Sequence, residues 1–216
     1  MKLRFLGSSQ RQEEFVGKLH DSLSRLRKFG SRSASIVGSG MIGTLLLANA
    51  VQADRLHAGI RAFLAHKYVR AAEIFTALAP QGDPIAQTYL GYMYSSGTGV
   101  PQDYTVSAGW YSCASKQGVA RAQYELGLMY DRALGVPQDY VRAYAFINLA
   151  VAKAGPERGA WTRVRDAVFS KLSLGERTVA QQMAFEGVPE TPCLPISTGV
   201  PPPYSIVYPR LLDPIP

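Results

Sequence analysis

The sequence predicts an all-α fold in which pairs of helices stack in a row. The six residues GVPQDY occur at positions 99–104 and again at 135–140, which is 36 positions later. Across residues 86–118 and 122–154, 13 of 33 positions are identical, where ordinary composition would give about two. Apolar residues within each unit recur every three or four positions, as they do along one face of a helix. An internal repeat of this length is typical of helix-pair arrays.

One repeat unit is predicted to contain two helices with a turn between them. Pro84 favours a helix start, and an apolar face follows it at Ala86, Leu90, Met93 and Tyr94. The segment 95–99 ends this helix, because its glycines readily adopt positive φ angles. Asp103 and its counterpart Asp139 are placed to cap a second helix. The inner face of that second helix is predicted to include Tyr104, Ser107, Trp110 and Ala114, and Gly118 closes it.

A partial unit precedes the two full ones. Apolar positions of the second helix reappear another 36 residues upstream, at Tyr68, Ala71, Ile74 and Leu78, and Gly82 matches Gly118. This opening unit, residues 55–81, joins its helices through Ala65-His66-Lys67 and lacks the longer glycine-containing loop. Terminal units of repeat arrays are commonly atypical in this way. The array is therefore expected over residues 54–155, with units at 55–81, 86–118 and 122–154.

The motif order resembles that of the Sel-1-like repeat, a relative of the tetratricopeptide repeat. Residues 86–118 carry Ala-x-x-x-Leu-Gly-x-x-Tyr, then Gly-x-Gly-Val-x-x-Asp-Tyr, and finally Trp110. The second unit departs from this pattern at Ala133 and Phe146, and alanine at a positive φ angle is strained. The resemblance implies a right-handed α-solenoid of antiparallel helix pairs whose usual role is protein–protein interaction.

The segment after the array is predicted to form a C-terminal helical cap at residues 156–187. Gly155-Pro156-Glu157 restarts a helix, and a further helix is expected at 176–185. A helical stripe runs through Trp161, Val164, Val168 and Leu172. A solenoid needs such an end, because its last apolar face must be covered by an element with a polar outer surface.

Residues 1–53 are predicted to be a secretory signal peptide with a long basic leader. A basic stretch at 25–32 precedes an uncharged run at 36–50, and small residues lead to a predicted cleavage after Ala53. The run of about 15 residues is short for a membrane span, which needs about 20. The expected location is therefore periplasmic or secreted, without stable membrane insertion after cleavage. An uncleaved anchor, a cytoplasmic protein and a true start downstream of Met1 remain open alternatives.

The net charge does not indicate a nucleic-acid partner. The chain carries +7, but residues 1–35 hold eight Lys and Arg against three acidic residues, and residues 36–53 hold no charge. The part after residue 53 therefore carries 15 minus 13, or +2. The strong positive charge that marks nucleic-acid binding is concentrated in the predicted signal peptide.

Sequence motifs for catalysis, cofactors or metals are not found. Only His57 and His66 follow the predicted cleavage site. They are nine residues apart and have no neighbouring pattern of Cys, Asp or Glu at metal-ligand spacing. The glycines at 97 and 99 lead into Val-Pro and lack the lysine of a phosphate-binding loop. The sequence therefore predicts a noncatalytic protein that needs no cofactor.

The two cysteines and the tail leave alternatives open. In an oxidising compartment Cys113 and Cys193 could form a disulfide; otherwise Cys113 is a small packed side chain, like its counterpart Leu149.

Residues 188–216 hold nine of the fourteen prolines, which exclude a helix and favour extended conformations. This tail either folds back or docks on a partner, or else moves freely.

The partner-binding residues are expected on the first helices of the units. Because first helices line the concave face of such arrays, variable positions there are candidate contacts. These positions are Thr88, Tyr89, Tyr92 and Ser95 in one unit, and Tyr124, Glu125, Leu128 and Asp131 in the next. Tyrosine is frequent among the residues that dominate binding energy.

Two classes of function compete. The first is a noncatalytic adaptor or regulator in the bacterial cell envelope that binds a protein partner, such as an envelope or sensor protein. The second, an activity of some Sel-1-like relatives, is an envelope hydrolase acting on peptidoglycan or β-lactams, but the sequence shows no nucleophile–base pair. A secreted effector that binds a host protein is a third and weaker hypothesis.

Overall fold

The structure is a computed structural model that describes residues 41–188 and Cys193, and in this part of the chain it is all-helical. Most of the predicted signal peptide, and all of the predicted tail except Val188 and Cys193, lie outside these residues. The chain divides into two compact units, Met1–Val51 and Gln52–Pro216. The packing below is that of the second unit. None of the described helices has the combination of length and apolarity that crossing a membrane requires.

Eight α-helices and one 3₁₀ turn follow one another along the described chain. The α-helices are α1 (Met41–Leu64), α2 (Tyr68–Leu78), α3 (Pro84–Ser96), α4 (Tyr104–Lys116), α5 (Ala120–Arg132), α6 (Tyr140–Lys153), α7 (Arg158–Phe169) and α8 (Leu174–Glu186). The 3₁₀ turn, Ala79–Gln81, follows α2. Helix α3 packs on α4, α4 on α5, and α5 on α6, so the predicted stack of consecutive helix pairs is confirmed.

Aspartate side chains cap three helices, two of them at the predicted positions Asp103 and Asp139. Asp83 accepts hydrogen bonds from the Ile85 and Ala86 amides at the start of α3, both at 2.9 Å. Asp103 accepts from the amides of Thr105 and Val106 at 2.8 and 3.0 Å at the start of α4. Asp139 accepts from the Arg142 amide at 2.9 Å. These bonds satisfy amides that a helix N-terminus otherwise leaves without an intrahelical partner.

The repeated GVPQDY segment is explained by contacts that occur in both copies. A Cβ on Gly99, whose φ is +74°, would lie 2.6 Å from the Tyr68 carbonyl carbon, and one on Gly135 would overlap the Tyr104 backbone. Glycine is therefore required where each loop rests on the preceding second helix. The glutamine of each copy bonds the end of its own first helix, Gln102 to the Ser95 carbonyl at 2.8 Å and Gln138 to the Asp131 carbonyl at 2.9 Å.

A second glycine lets the two helices of each unit approach closely. A Cβ on Gly91 in α3 would lie 2.7 Å from the Tyr111 ring of α4. The equivalent glycines meet Phe75 in the opening unit, at 2.7 Å from Gly59, and Ile147 in the second repeat, at 2.6 Å from Gly127. The large side chain thus occupies the space that the glycine leaves open. Buried Tyr111 was not part of the predicted inner face, whose members Tyr104 and Trp110 are only half-buried.

Helices α7 and α8 do not form a third repeat, because each of them packs on α6. Trp161, Val168, Leu172 and Ala180 are buried in the same core cluster as the second repeat. Helix α8 begins at Leu174, two residues before the predicted start, since Ser173 caps it. The Ser173 hydroxyl accepts from the Glu176 amide, and the Glu176 carboxylate accepts from the Ser173 amide at 2.8 Å. This reciprocal pair is a capping box.

Candidate partner-binding surface

The eight predicted contact residues lie on α3 and α5, but they are not equally accessible. Thr88 and Tyr89 are 0% and 1% exposed, so they cannot contact a partner in this conformation, and their assignment as contact residues is corrected here. The other six are partly buried and reach solvent: Tyr92, Ser95, Tyr124, Glu125, Leu128 and Asp131. The available surface is therefore smaller than the sequence predicts.

Tyr89 is buried because the opening unit packs over it. Its ring stacks on Phe75 at 4.6 Å between centroids and meets Phe63 edge-on at 5.1 Å. Burial raises the pKa of the Tyr89 hydroxyl well above its usual range. Thr88 donates from its hydroxyl to the Pro84 carbonyl at 2.7 Å, so its polar atom is satisfied within α3. Both side chains are therefore buried in the interior of the array.

Two of the α5 residues are engaged by the C-terminal helices. The Tyr124 ring stacks on Trp161 of α7, with centroids 4.6 Å apart and planes 11° from parallel. Asp131 forms an ion pair with Lys171, whose ammonium also lies 4.8 Å from the centre of the Tyr140 ring. These contacts place Tyr124 and Asp131 at the junction between the second repeat and the segment that follows it.

A polar cluster joins the two repeats. Arg121 and Glu125, four residues apart on α5, form a 2.6 Å ion pair and are each about one-fifth exposed. Tyr111 of α4 is fully buried next to this pair and hydrogen-bonds the Ser95 side chain. Burial, and after it the Glu125 charge, raise the pKa of the Tyr111 hydroxyl well above its usual range. Tyr111 therefore stays neutral at physiological pH.

Arg121 stays charged in spite of its surroundings. Burial by itself would lower the pKa of its guanidinium, but Glu125 and the tyrosines Tyr111 and Tyr124 raise it above the usual value. The cluster therefore contains an arginine–glutamate ion pair at partial burial. Taking Glu125 away would leave the guanidinium without its ion-pair partner, which is costly in a partly desolvated site.

Four predicted residues around this cluster form what we call the first-helix surface. It consists of Tyr92, Ser95, Glu125 and Leu128. The first two come from α3 and the other two from α5, and Tyr92, Ser95 and Glu125 all interact with buried Tyr111. The first-helix surface therefore offers an aromatic ring, a hydroxyl, a carboxylate and an aliphatic side chain from two adjacent repeats.

The histidines make local contacts. His57 Nδ1 lies 2.7 Å from the Ala53 carbonyl oxygen, and His66 Nδ1 lies 2.6 Å from the Tyr68 hydroxyl. Within residues 41–188 and Cys193, no group of three or more His, Cys, Asp or Glu side chains could hold a metal ion. Both observations concern only the described part of the chain.

Sequence reasoning missed the buried partners of this surface. The four-residue spacing of Arg121 and Glu125 on a predicted helix was a usable signal for an ion pair. No comparable signal marked Tyr111. Trp161 belonged to the predicted apolar stripe, but its contact with Tyr124 was not predicted, because the two residues lie on separate helices. The two cysteines were found, and the structure joins Cys113 to Cys193 in a disulfide.

The family comparison matches the two full repeats. The Sel1 repeat model matches residues 84–119 and residues 120–154. The chain contains two Sel1 repeats. Their limits fall within two residues of the units found by internal comparison of the sequence. Sel1 repeats are generally protein-interaction modules.

Two solved structures are similar to this chain. One is c5321, a protective antigen present in uropathogenic Escherichia coli strains that displays an SLR fold, with 27% identity and a TM-score of 0.57. The similarity covers 62% of this chain and 29% of that one. The other is a Sel1 repeat protein from Oxalobacter formigenes, with 33% identity, a TM-score of 0.44, and coverage of 46% and 40%. The chain thus spans less than half the length of either relative. No curated protein matches it.

Proposed function

We propose that this protein is a noncatalytic adaptor or regulator of the bacterial cell envelope that binds a protein partner through its first-helix surface. The observation that carries the proposal is the grouping of Tyr92, Ser95 and Glu125, from two Sel1 repeats, around the buried Tyr111. The Arg121–Glu125 ion pair of α5 lies next to Tyr111 of α4, so charged and aromatic side chains of two repeats meet at this surface.

The chemistry of the first-helix surface suits a protein partner. Tyr92 offers a large ring, and its 5.9 Å contact with Phe63 limits the conformational entropy that binding would remove. Glu125 is held by Arg121, so its carboxylate has a fixed position from which to accept a hydrogen bond. Leu128 adds apolar area beside them. The proposed occupant is a protein segment that presents an apolar side chain and a hydrogen-bond donor.

Two independent features support export to the envelope. The first is the predicted signal peptide at residues 1–53. The second is the disulfide between Cys113 and Cys193, because disulfides form and persist in oxidising compartments and are rare in the cytosol. Neither feature depends on the other, since one is a hydrophobic pattern and the other a contact in the folded chain.

The test begins with crosslinking of the tagged full chain in cells, which identifies the partner and the mature N-terminus. Affinity for that partner is then measured for Glu125→Gln and Tyr92→Ala. Each is expected to weaken binding about tenfold or more, which corresponds to about 1.4 kcal/mol or more. Glu125→Gln keeps the shape of the side chain and removes its charge. Because it also takes the ion-pair partner from Arg121, thermal unfolding of the variant is recorded beside its affinity.

The matched control is Val69→Ser. Val69 is 60% exposed on α2, a second helix, and lies outside the first-helix surface. The control is expected to bind like the unaltered protein, and circular dichroism should show the same helicity for all three variants. Unchanged affinity of both Glu125→Gln and Tyr92→Ala would exclude this surface. A chain that retains residues 1–53 and crosslinks to cytoplasmic proteins would exclude the envelope assignment.

A further inference from the structure

The disulfide connects parts of the array that are not neighbours. Cys113 lies in α4 and is 3% exposed, and its Cα is 4.8 Å from that of Cys193. The two cysteines are 80 residues apart, so the closed loop contains α5, α6, α7 and α8. The bridge therefore encloses the whole second Sel1 repeat and both C-terminal helices.

Noncovalent packing in this region runs mainly between neighbouring elements. Helix α4 packs on α5, α5 on α6, and α6 on α7 and α8. Stability in such an array is roughly a sum of contacts between neighbours, so its ends can open without the rest. The last helices are thus linked to the first repeat chiefly through the second repeat. The bridge adds a direct covalent link between the first repeat and the segment beyond α8.

The two repeats differ at the bridge position. Ser112 and Cys113 are 1% and 3% exposed, whereas their 36-residue counterparts Asn148 and Leu149 are half-buried. The second helix of the first repeat is therefore covered on a side that the second repeat leaves partly open. The bridge brings Cys193 to this side of α4.

We propose that the Cys113–Cys193 bridge is a covalent clasp that holds α7 and α8 on the second repeat. To form it, the two thiols give up two protons and two electrons. A disulfide of a thiol–disulfide oxidoreductase accepts them by exchange and becomes a dithiol. Closing a loop of this length restricts the unfolded chain strongly, so the clasp stabilises the folded array. The clasp does not depend on the identity of the protein partner.

The clasp predicts that reduction loosens one end of the molecule. When the bridge is reduced, α7 and α8 keep only their packing on α6, while α3 and α4 keep all their contacts with each other. Local opening should therefore increase at α7 and α8 and remain low in the first repeat. If the bridge stabilised all helices equally, its reduction would increase local opening evenly along the chain.

The experiment uses the full chain, purified without reductant, and the variant Cys193→Ser. Intact mass after alkylation of the unreduced protein counts its free thiols, and none is expected to be modified. Thermal unfolding is then recorded with and without a phosphine reductant. Reduction should lower the Tm of the unaltered chain by about 5–15 °C, to the value of Cys193→Ser. The Tm of the variant should not respond to the reductant.

Hydrogen exchange followed by mass spectrometry locates the effect. The expected result is faster exchange in α7 and α8 after reduction, with α3 and α4 unchanged. Two alkylated thiols in the unreduced protein would overturn the proposal. A Tm that does not respond to reduction would overturn it as well, and so would an equal rise of exchange in all helices. Because reduction needs no mutation, these outcomes can be read even if Cys193→Ser folds poorly.

Discussion

The two Sel1 repeats share their framework but begin differently. In the first repeat, Asp83 caps α3 with two hydrogen bonds and Pro84 occupies the first helical position. In the second, α5 follows Val119, whose side chain makes no capping bond. An effective cap contributes about 0.5–2 kcal/mol. The second repeat therefore lacks a local stabilisation that the first one has.

The loops differ in the same direction. Helix α3 ends at Gly97 with φ +69°, whereas α5 ends at Ala133 with φ +55°. The left-handed conformation costs a residue with a side chain about 1–2 kcal/mol. At the next junction, Gln117 bonds both the Gly82 carbonyl and Gln87, while its counterpart Lys153 bonds the Gly118 carbonyl at 3.2 Å. Gln123 Oε1 is buried without a hydrogen-bond partner.

The comparison shows that tertiary contacts can stabilise a repeat whose helix caps are weak. The second repeat lies between the first repeat and the C-terminal helices, which give it the Trp161 stack and the Lys171 ion pair. The disulfide also encloses it. A repeat supported in this way can fold with a poorer cap and a strained helix end.

The largest loss of stability should come from replacing the loop glycine that packs on the preceding unit in both repeats. Gly135→Ala adds a left-handed alanine and a clash with the Tyr104 backbone, so it should lower the free energy of unfolding by about 2–5 kcal/mol. Gly82→Ala is the matched control, because its φ is also positive, at +91°, but nothing lies within 4 Å of the added Cβ. Its cost should be about 1–2 kcal/mol. Equal costs in urea unfolding would argue against the backbone contact.

Exchanging the helix starts should reduce the difference between the repeats. Asp83→Ala removes both capping bonds and should destabilise the protein by about 1–2 kcal/mol. Val119→Asp introduces a cap at the start of α5, where the backbone of residue 119 is already extended, and should stabilise by about 1 kcal/mol. Urea unfolding measures both changes. A loss of stability in Val119→Asp would show that the valine contributes more through packing than a cap would.

Exchanging the residues that end α3 and α5 should change stability less, and the gain from Ala133→Gly should be the smaller of the two changes. Ala133→Gly relieves the left-handed strain at an exposed position and should stabilise by about 1 kcal/mol or less, because glycine also gains freedom in the unfolded chain. Gly97→Ala should destabilise by about 1 kcal/mol, since its added Cβ meets Gln102 only at 3.4 Å. Thermal unfolding resolves shifts of this size. If both variants destabilise, the strain at Ala133 is offset by contacts that the methyl group makes.

The smallest effect concerns pH and the end of the chain beyond the repeats. Hydrogen bonds from the Ser173 hydroxyl and amide lower the pKa of Glu176 in the folded protein. The Glu176 carboxylate therefore contributes fully to the stability of α8 above the pKa that it has in the unfolded chain. This contribution is lost as the pH falls through the lower pKa that Glu176 has in the folded protein. The protection of the α8 amides relative to their intrinsic exchange rate should fall below about pH 4. Ser173→Ala should reduce this pH dependence, and an unchanged profile would contradict it.

Much of the fold could be predicted from the sequence because its signals are local. The periodicity of α3, the capping residues Asp103 and Asp139, and the strained Ala133 are all visible within one unit. The burial of Tyr89 was not, since it depends on Phe63 and Phe75 from the shorter opening unit. The candidate surface was therefore right about access at six of its eight positions. Which variable positions face solvent is decided by neighbouring helices, and a single unit does not contain that information.

The seating of each loop on the preceding unit gives the array a direction. Gly99 packs against Tyr68 of the opening unit, and Gly135 packs against Tyr104 of the first repeat. Each loop thus contacts the unit that precedes it. A further repeat after the second one would have to displace α7 and α8, which already pack on α6. Removing α2 would remove the contact that positions Gly99 and would weaken the packing of the units that follow. Each repeat therefore depends on the unit before it for the position of its loop.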